Sequence, residues 1–276
     1  MRSSDSVDRR GLWTAVAAFV LWGLMPLYWH LLKVVPSLQI VLHRVIWGAL
    51  LVAAWLFFKY GRGWLRETLS LPGAAWMLAL SGALIAFNWG LYIWAVNAGH
   101  VVETSLGYFI NPLLNVLIGV LLLRERLNAV QWTSVAIAGA GVLWLTFNYG
   151  SFPWIALALA CSFGLYGLVR RQLGVGPVRG LGVESMYMLP VALVLLAWTA
   201  GTPQGGGLFA WGVPVAALLV LAGALTALPL IGFAFAVRRI PFPLIGLLQY
   251  IAPTLQLPSG VFFFGEPLGT DRAIGI

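Results

Sequence analysis

The feature that most constrains this chain is a succession of long apolar runs joined by short connections. A helix needs about 20 apolar residues to cross about 30 Å of hydrocarbon. Backbone N–H and C=O groups find no hydrogen-bond partners in lipid unless such a run is helical. The alternating hydrophobic pattern of an outer-membrane barrel is absent from the sequence. The runs therefore predict an all-α integral membrane protein. Nine of them span residues 11–32, 38–58, 74–96, 104–123, 130–148, 152–169, 182–200, 211–237 and 244–264.

Composition agrees with this fold class. Of the 276 residues, 61% are hydrophobic and 9% are charged, against about 45–50% and about 25% in soluble domains. The run that begins at Gly11 is too long and too rich in tryptophan for a cleaved signal peptide. We therefore expect it to be retained as the first span.

The positive charges fall on alternate loops. The opposite loops carry only Lys33 and Arg272, and Arg44 lies inside the second run. Because Lys and Arg are enriched in cytoplasmic loops, the bias predicts a cytoplasmic N-terminus. The net charge of +8 reflects this topology, since no basic stripe with interleaved aromatic residues indicates nucleic-acid binding. The alternate loops hold Arg2, Arg9, Arg10, Lys59, Arg62, Arg66, Arg124, Arg126, Arg170, Arg171, Arg179, Arg238 and Arg239.

The sequence also repeats at a constant spacing of 141 residues. Each unit holds five spans, an odd number, so the second copy must enter the membrane from the opposite side. We expect a cytoplasmic tail at 1–10, a first repeat at 11–148 and an inverted second repeat at 151–276. A tenth run begins near Ala273 and stops at Ile276, so the closing helix is expected to be truncated. Matched pairs include Trp13 and Trp154, Gly23 and Gly164, Gly82 and Gly223, Pro112 and Pro253, and Glu125 and Glu266.

Five segments closely resemble the RarD-type permeases, in the EamA branch of the drug/metabolite transporter superfamily. They are His43–Trp47, Asn88–His100, Thr104–Asn115, Ser162–Arg170 and Gln249–Gln256. The resemblance covers nearly the whole chain and implies ten helices in two inverted bundles of five, in a bacterial inner (plasma) membrane. It implies no particular substrate. Pro258 departs from a regular ninth span and predicts a kink there.

Three charged or titratable residues inside the apolar runs stand out: His43, Arg44 and Glu184. Such residues usually face an interior cavity or a partner. Arg44 is a candidate to bind an anionic group of a substrate, and His43 is a candidate to carry a proton. The repeat aligns His43 with Glu184, which suggests proton coupling through both. The alternatives are snorkelling with a structural hydrogen bond, and passive transport or exchange.

Polar and aromatic residues complete the predicted substrate-binding set. Tyr108, Asn111 and Asn115 share one face of span four, and Asn88 lies one turn before Tyr92 on span three. The alternatives are helix packing for the amides and packing or an interfacial belt for the aromatic residues. The remaining members of the set are Trp22, Tyr166, Gln249 and Tyr250.

The acidic residues Glu103, Glu125 and Glu266 lie at helix ends, which favours a structural role. We expect Glu125 to pair with Arg124 or Arg126.

These observations predict a secondary transporter for small metabolites or amphipathic drugs that works by alternating access. A lipid flippase and a non-transporting scaffold or sensor share the architecture and stay open as alternatives. The sequence lacks metalloprotease and phosphate-loop motifs, and its one cysteine, Cys161, lies in an apolar run. We therefore expect no enzyme activity, no cofactor and no metal. The expected partners are a small-molecule substrate and the lipid bilayer, and the sequence fixes neither the substrate, the direction of transport nor the oligomeric state.

Overall fold

Helices account for most of the computed structural model, which describes residues 8–98, 100–149, 152–202 and 205–258. No β-strand occurs in these residues, which confirms the all-α expectation. A π-helical turn at Ile118–Leu122 follows the fifth helix. The α-helices are α1 (Arg9–Leu31), α2 (Ser37–Tyr60), α3 (Trp64–Leu69), α4 (Ala74–Asn97), α5 (Val101–Leu117), α6 (Ala129–Tyr149), α7 (Trp154–Gln172), α8 (Pro177–Thr199), α9 (Val213–Ala236), α10 (Phe242–Gln249) and α11 (Ile251–Pro258).

Six of these helices are long and apolar enough to cross a membrane, namely α1, α2, α4, α7, α8 and α9. They coincide with six of the predicted runs. The fourth and fifth runs form the shorter apolar helices Leu106–Leu122 and Ala129–Trp144. The ninth run is interrupted at Tyr250, where α10 ends, and Pro258 is the last residue of α11. The residues after Pro258, which are needed to show the kink predicted at that proline, and the predicted stub of a tenth helix lie outside the described residues.

The helices have two chemically different ends. One end, called the basic end here, contains the first residues of α1, α8 and α10 and the last residues of α2, α7 and α9. Ion pairs join its elements: Asp8 to Arg239 at 2.8 Å and Glu67 to Arg179 at 3.5 Å. Of the Lys and Arg residues in the described ranges, all but Lys33 and Arg44 lie at the basic end.

The opposite end, called the distal end, is held mainly by uncharged hydrogen bonds. Tyr28 near the end of α1 donates to the carbonyl of Leu218 on α9. Gln39 on α2 donates to the Thr199 hydroxyl at the end of α8, at 2.9 Å. The contrast agrees with the predicted asymmetry of charge between the two sides.

Close helix packing is possible because small residues face neighbouring backbones. A Cβ added at Gly223 on α9 would lie 2.6 Å from the carbonyl carbon of Trp47 on α2. A Cβ added at Gly246 on α10 would lie 2.5 Å from the carbonyl oxygen of Pro112 on α5. Glycine at these positions lets the two backbones touch, as small residues commonly do between membrane helices.

Candidate functional site

A cavity of about 390 Å³ lies among α1, α2, α4, α5, α7, α9 and the α10–α11 segment. This volume falls within the range of about 300–1,000 Å³ that is common for small-molecule pockets. On α1, α2 and α5 its lining residues fall within 19–29, 37–44 and 104–111, so most of the cavity lies in the half of the bundle nearer the distal end. Its walls are largely aromatic and aliphatic, with a few polar groups.

The cavity brings together most of the residues that the sequence predicts for substrate binding. His43, Asn115, Tyr166 and Tyr250 lie outside its lining. A binding role for any of these residues stays a prediction. The predicted residues that line the cavity are Trp22, Arg44, Asn88, Tyr92, Tyr108, Asn111 and Gln249.

Arg44 is the charged residue of the cavity wall. Its Nε donates to the Thr226 hydroxyl on α9 at 2.9 Å. Its guanidinium carbon lies 4.8 Å from the ring centroid of Trp29 and 5.0 Å from that of Trp89, so both rings hold the cation by cation–π contact. The five ion pairs formed by the described residues do not include Arg44.

The sequence reasoning missed Trp29, Trp89 and Thr226, which line the cavity around Arg44. All three lie in apolar runs. None of them is charged, and none belongs to a periodic stripe of polar residues that would indicate a binding role. Trp89 does belong to one of the segments on which the family resemblance rests, which is the only signal that pointed to it.

Two of the three asparagine side chains discussed here join neighbouring helices. Asn88 donates from Nδ2 to the Leu159 carbonyl at 2.8 Å and to the Ser162 hydroxyl at 2.9 Å, and so joins α4 to α7. Asn115 donates to Gln249 Oε1 at 2.6 Å and joins α5 to α10. These bonds agree with the helix-packing alternative. Asn111 is 7% exposed, lines the cavity, and its Oδ1 accepts no hydrogen bond from any described residue.

An aromatic layer closes the cavity toward the basic end. Trp22 contacts Phe163 and Phe233, with ring centroids 5.9 and 6.0 Å apart, and Phe163 lies 5.0 Å from Phe233. Tyr166 stacks on Phe233 and is 1% exposed, so it belongs to this layer and not to the cavity wall. Tyr250 donates to the Phe109 carbonyl at 3.1 Å, which joins the end of α10 to α5.

Below the aromatic layer, Glu184 on α8 is fully buried beside a buried arginine. Arg170 Nε on α7 lies 3.6 Å from Glu184 Oε1, and the Ser81 hydroxyl on α4 donates to the same oxygen. The charge pattern had assigned Arg170 to a loop, whereas the structure places it in the last turn of α7 at 1% exposure. A Cβ at Gly180 would overlap its guanidinium, so a larger residue at that position would force the arginine side chain to move. This cluster ties together α4, α7 and α8.

His43, which the repeat aligns with Glu184, is also buried. Neither ring nitrogen has a hydrogen-bond partner among the described residues. His43 lies near the distal end and Glu184 near the basic end, and neither lines the cavity. The proton-coupling hypothesis stays a prediction.

Glu125 differs from the expectation that it pairs with Arg124 or Arg126. Its carboxylate pairs with Arg171 on α7 and accepts from the Phe242 backbone N–H at 2.7 Å. The π-helical turn and the positive φ of 55° at Arg124 redirect the chain, so the Glu125 side chain reaches α7 and α10. Glu103 has the structural role that its place at a helix end predicted, because it accepts from the Ile155 N–H at the start of α7.

The cations of the basic end affect two groups outside the spans. The hydrogen bond from Arg239 lowers the pKa of Asp8, with help from the Gly11 N–H. Burial lowers the pKa of Arg238, and the nearby charges of Arg170 and Arg239 lower it further. Among the described residues, no three His, Cys, Asp or Glu side chains gather as metal ligands.

Comparison with known proteins gives consistent relatives. The model of the EamA-like transporter family matches residues 9–147. An uncharacterized transporter of Pseudomonas aeruginosa is 46% identical over 264 residues, covering 96% of this chain and 88% of that protein. The uncharacterized transporter YojE of Bacillus subtilis is 43% identical over 96% of this chain and 89% of its own length. Protein RarD of Streptomyces exfoliatus is 42% identical over 99% of this chain and 86% of its own length.

A crystal structure with 19% sequence identity covers 96% of this chain and 92% of its own, with a TM-score of 0.72. At that identity the match shows a shared fold.

Proposed function

This chain belongs to the EamA-like transporter family, alongside the proteins named RarD, and we propose that it is a secondary transporter for small metabolites or amphipathic drugs in a bacterial inner membrane. The observation that carries the proposal is the cavity of about 390 Å³, which lies within the bundle and is closed toward the basic end. A scaffold would have no need of such a space. The relatives named as transporters also favour transport over catalysis.

We propose that the helices form two inverted repeats. Under the spacing of 141 residues, Val101 aligns with Phe242. The start of α5, which the π-helical turn follows, therefore corresponds to the start of α10. Helix packing supports the same relation. Gly82 on α4 contacts the backbone of α8, and its equivalent Gly223 on α9 contacts the backbone of α2. Each contact thus joins the third span of one repeat to the second span of the other.

We propose that the protein works by alternating access between these two repeats. In the present state the cavity lies toward the distal end, while the aromatic layer and the cluster of Arg170, Glu184 and Ser81 close the basic end. The positive-inside rule assigns the basic end to the cytoplasm. The cavity would therefore face the outside, and the opposite state would open at the basic end.

The first test is solute flux. The purified chain is reconstituted in liposomes, and the uptake of a panel of small amphipathic solutes is measured with and without a tenfold excess of unlabelled solute. We expect at least one solute to show saturable, competable flux that protein-free liposomes lack. Flux of none of them together with rapid exchange of labelled lipid between leaflets would instead identify a flippase.

Coupling to protons is tested in the same liposomes. If His43 and Glu184 carry protons, an imposed pH gradient drives uptake and Glu184→Gln removes that dependence. The charged and polar groups that face Glu184 are Arg170, Ser81 and Tyr166, so the variant also needs a folding control. Equal flux with and without the gradient would contradict proton coupling and favour passive transport or exchange.

A further inference from the structure

We infer that the solute carried in this cavity is an organic monoanion with a flat apolar portion, whose anionic group binds Arg44 and whose hydrogen-bond donor binds Asn111. The inference rests on the proposed transport function and names its substrate class. The cavity supplies three matching features: a cation without a counter-charge, aromatic walls, and an unpartnered acceptor.

Arg44 can form further hydrogen bonds in the cavity. Nε is the only one of its nitrogens that donates to a described residue, and its acceptor is Thr226. The remaining N–H groups are free to form the paired hydrogen bonds that a guanidinium makes with a carboxylate. A charged side chain inside a membrane span is costly unless a partner or a water-filled cavity accommodates it. Contacts with Trp29 and Trp89 offset part of that cost, but neither ring supplies a negative charge.

Comparison with Arg170 shows that this protein pairs a cation when the role is structural. Arg170 is buried beside the Glu184 carboxylate at 3.6 Å. Arg44 has no acidic side chain within ion-pair distance among the described residues, yet it faces a cavity. An anion that enters the cavity would provide the missing counter-charge, and it would leave again when the cavity changes sides.

The second step concerns the rest of the ligand. Trp29, Trp89 and Tyr92 present flat apolar surface to the cavity, which suits an aromatic or planar group. Asn111 Oδ1 is buried and accepts nothing from the described protein. An unsatisfied buried acceptor is costly, so an N–H or O–H group of the ligand is its natural partner. Together these features select a planar monoanion that carries one donor.

The test uses matched probes in an uncharged detergent. Phenylpropionate, its neutral amide phenylpropionamide and its cationic analogue phenylpropylamine share one shape and differ in charge. Binding to the folded state raises the apparent melting temperature. We expect a dose-dependent rise with phenylpropionate and at least tenfold weaker binding of the other two. Hydroxyphenylpropionate should bind more tightly than phenylpropionate, and Asn111→Leu should remove that difference.

Variants separate a specific site from general attraction. Arg44→Gln should abolish the preference for the anion, and Arg44→Lys, which keeps the charge but loses the paired donors, should weaken binding at least tenfold. Lys33→Gln removes an exposed cation at the same end of the bundle and should leave binding unchanged. If Arg44→Gln does not fold, quenching of tryptophan fluorescence by the three probes in the unmodified protein still tests the charge preference.

Several outcomes would overturn the inference. One is equal binding of the amide or the amine, and another is unchanged anion binding in Arg44→Gln.

A lipid headgroup offers the same anionic chemistry, so phosphatidylglycerol is added to phosphatidylcholine liposomes. If phosphatidylglycerol prevents the binding of phenylpropionate, Arg44 binds a lipid headgroup and not a transported solute. Saturable flux of neutral or cationic solutes alone would refute this substrate class while the transport function stands, whereas anion binding without any flux would refute transport and leave the anion site.

Discussion

Two arginines within the helices of this protein show how local surroundings decide the role of one residue type. Arg170 lies in the last turn of α7, where its Nη2 donates to the Pro177 carbonyl and its Nε lies 3.6 Å from the Glu184 carboxylate. Arg44 lies in the second turn of α2, where two indole rings and one hydroxyl surround it without a carboxylate. Removal of one partner of a buried ion pair leaves the other charge uncompensated, which is costly. The first arginine therefore has a structural role in this state, and the second is the residue proposed above to bind a solute.

Loss of the Glu184 charge should destabilise the protein. Glu184→Gln keeps a side chain that can accept from Ser81 but leaves Arg170 buried without a counter-charge. Breaking a buried pair in this way costs about 3–5 kcal/mol. We expect a clear drop in the melting temperature measured in detergent, and recovery of most of it in the double variant Arg170→Met, Glu184→Gln. A single variant as stable as the unmodified protein would show that the pair contributes little.

At the scale of elements, apolar run length predicted where helices occur but not how they end or bend. The fourth run was expected as one helix at 104–123, whereas the structure ends α5 at Leu117 and continues as a π-helical turn. A side chain at Gly119 would overlap Pro243 of α10, so this turn lies where two elements touch. A count of apolar residues in one segment contains no information about a proline more than 100 residues away.

The same reasoning explains which cavity residues the sequence could identify. Arg44 and Asn111 stand out because polar groups are rare in apolar runs, and most such predictions fell on the cavity wall. Trp29 and Trp89 were missed because an aromatic residue in a span is equally suited to packing. Arg170 was misassigned because it adjoins Arg171 at a helix end, and only the packing of α8 shows that it is buried.

The contact between α2 and α9 predicts a position-specific effect of one methyl group. Gly223→Ala places a Cβ about where the backbone of Trp47 and Gly48 now lies, and these backbone atoms cannot rotate away. Overpacking of this kind costs about 1–3 kcal/mol, so the melting temperature should fall. Gly90→Ala on α4 is the matched control, because nothing lies within 4 Å of its added Cβ. Alanine favours helix over glycine by about 0.5–1 kcal/mol, so this control should be neutral or stabilising. Similar effects at both positions would contradict the backbone contact.

At the scale of the whole molecule, the proposed inverted repeats would relate the two ends as two gates of one cavity. Under the 141-residue spacing, Arg170 is equivalent to Trp29, Glu184 to His43, and Ser185 to Arg44. Trp29 and Arg44 line a cavity that is present, while Arg170, Glu184 and Ser185 are buried in a closed region. If the repeats exchange conformations, Ser185 would take the cavity-lining place that Arg44 has now.

Opening of the basic end should therefore close the distal end, and cysteine labelling can measure both. In a Cys161→Ser background, Ile93→Cys reports on the present cavity and Ser185→Cys on the closed region, which is 6% exposed at that residue. Ser185→Cys should react with a small maleimide at least tenfold more slowly than Ser70→Cys, an exposed control at the basic end. Adding Glu184→Gln weakens the closed region, so labelling should rise at Ser185→Cys and fall at Ile93→Cys. A rise at Ser185→Cys without a fall at Ile93→Cys would mean that the basic end loosens independently of the cavity, and alternating access between two inverted bundles would then be the wrong description of this protein.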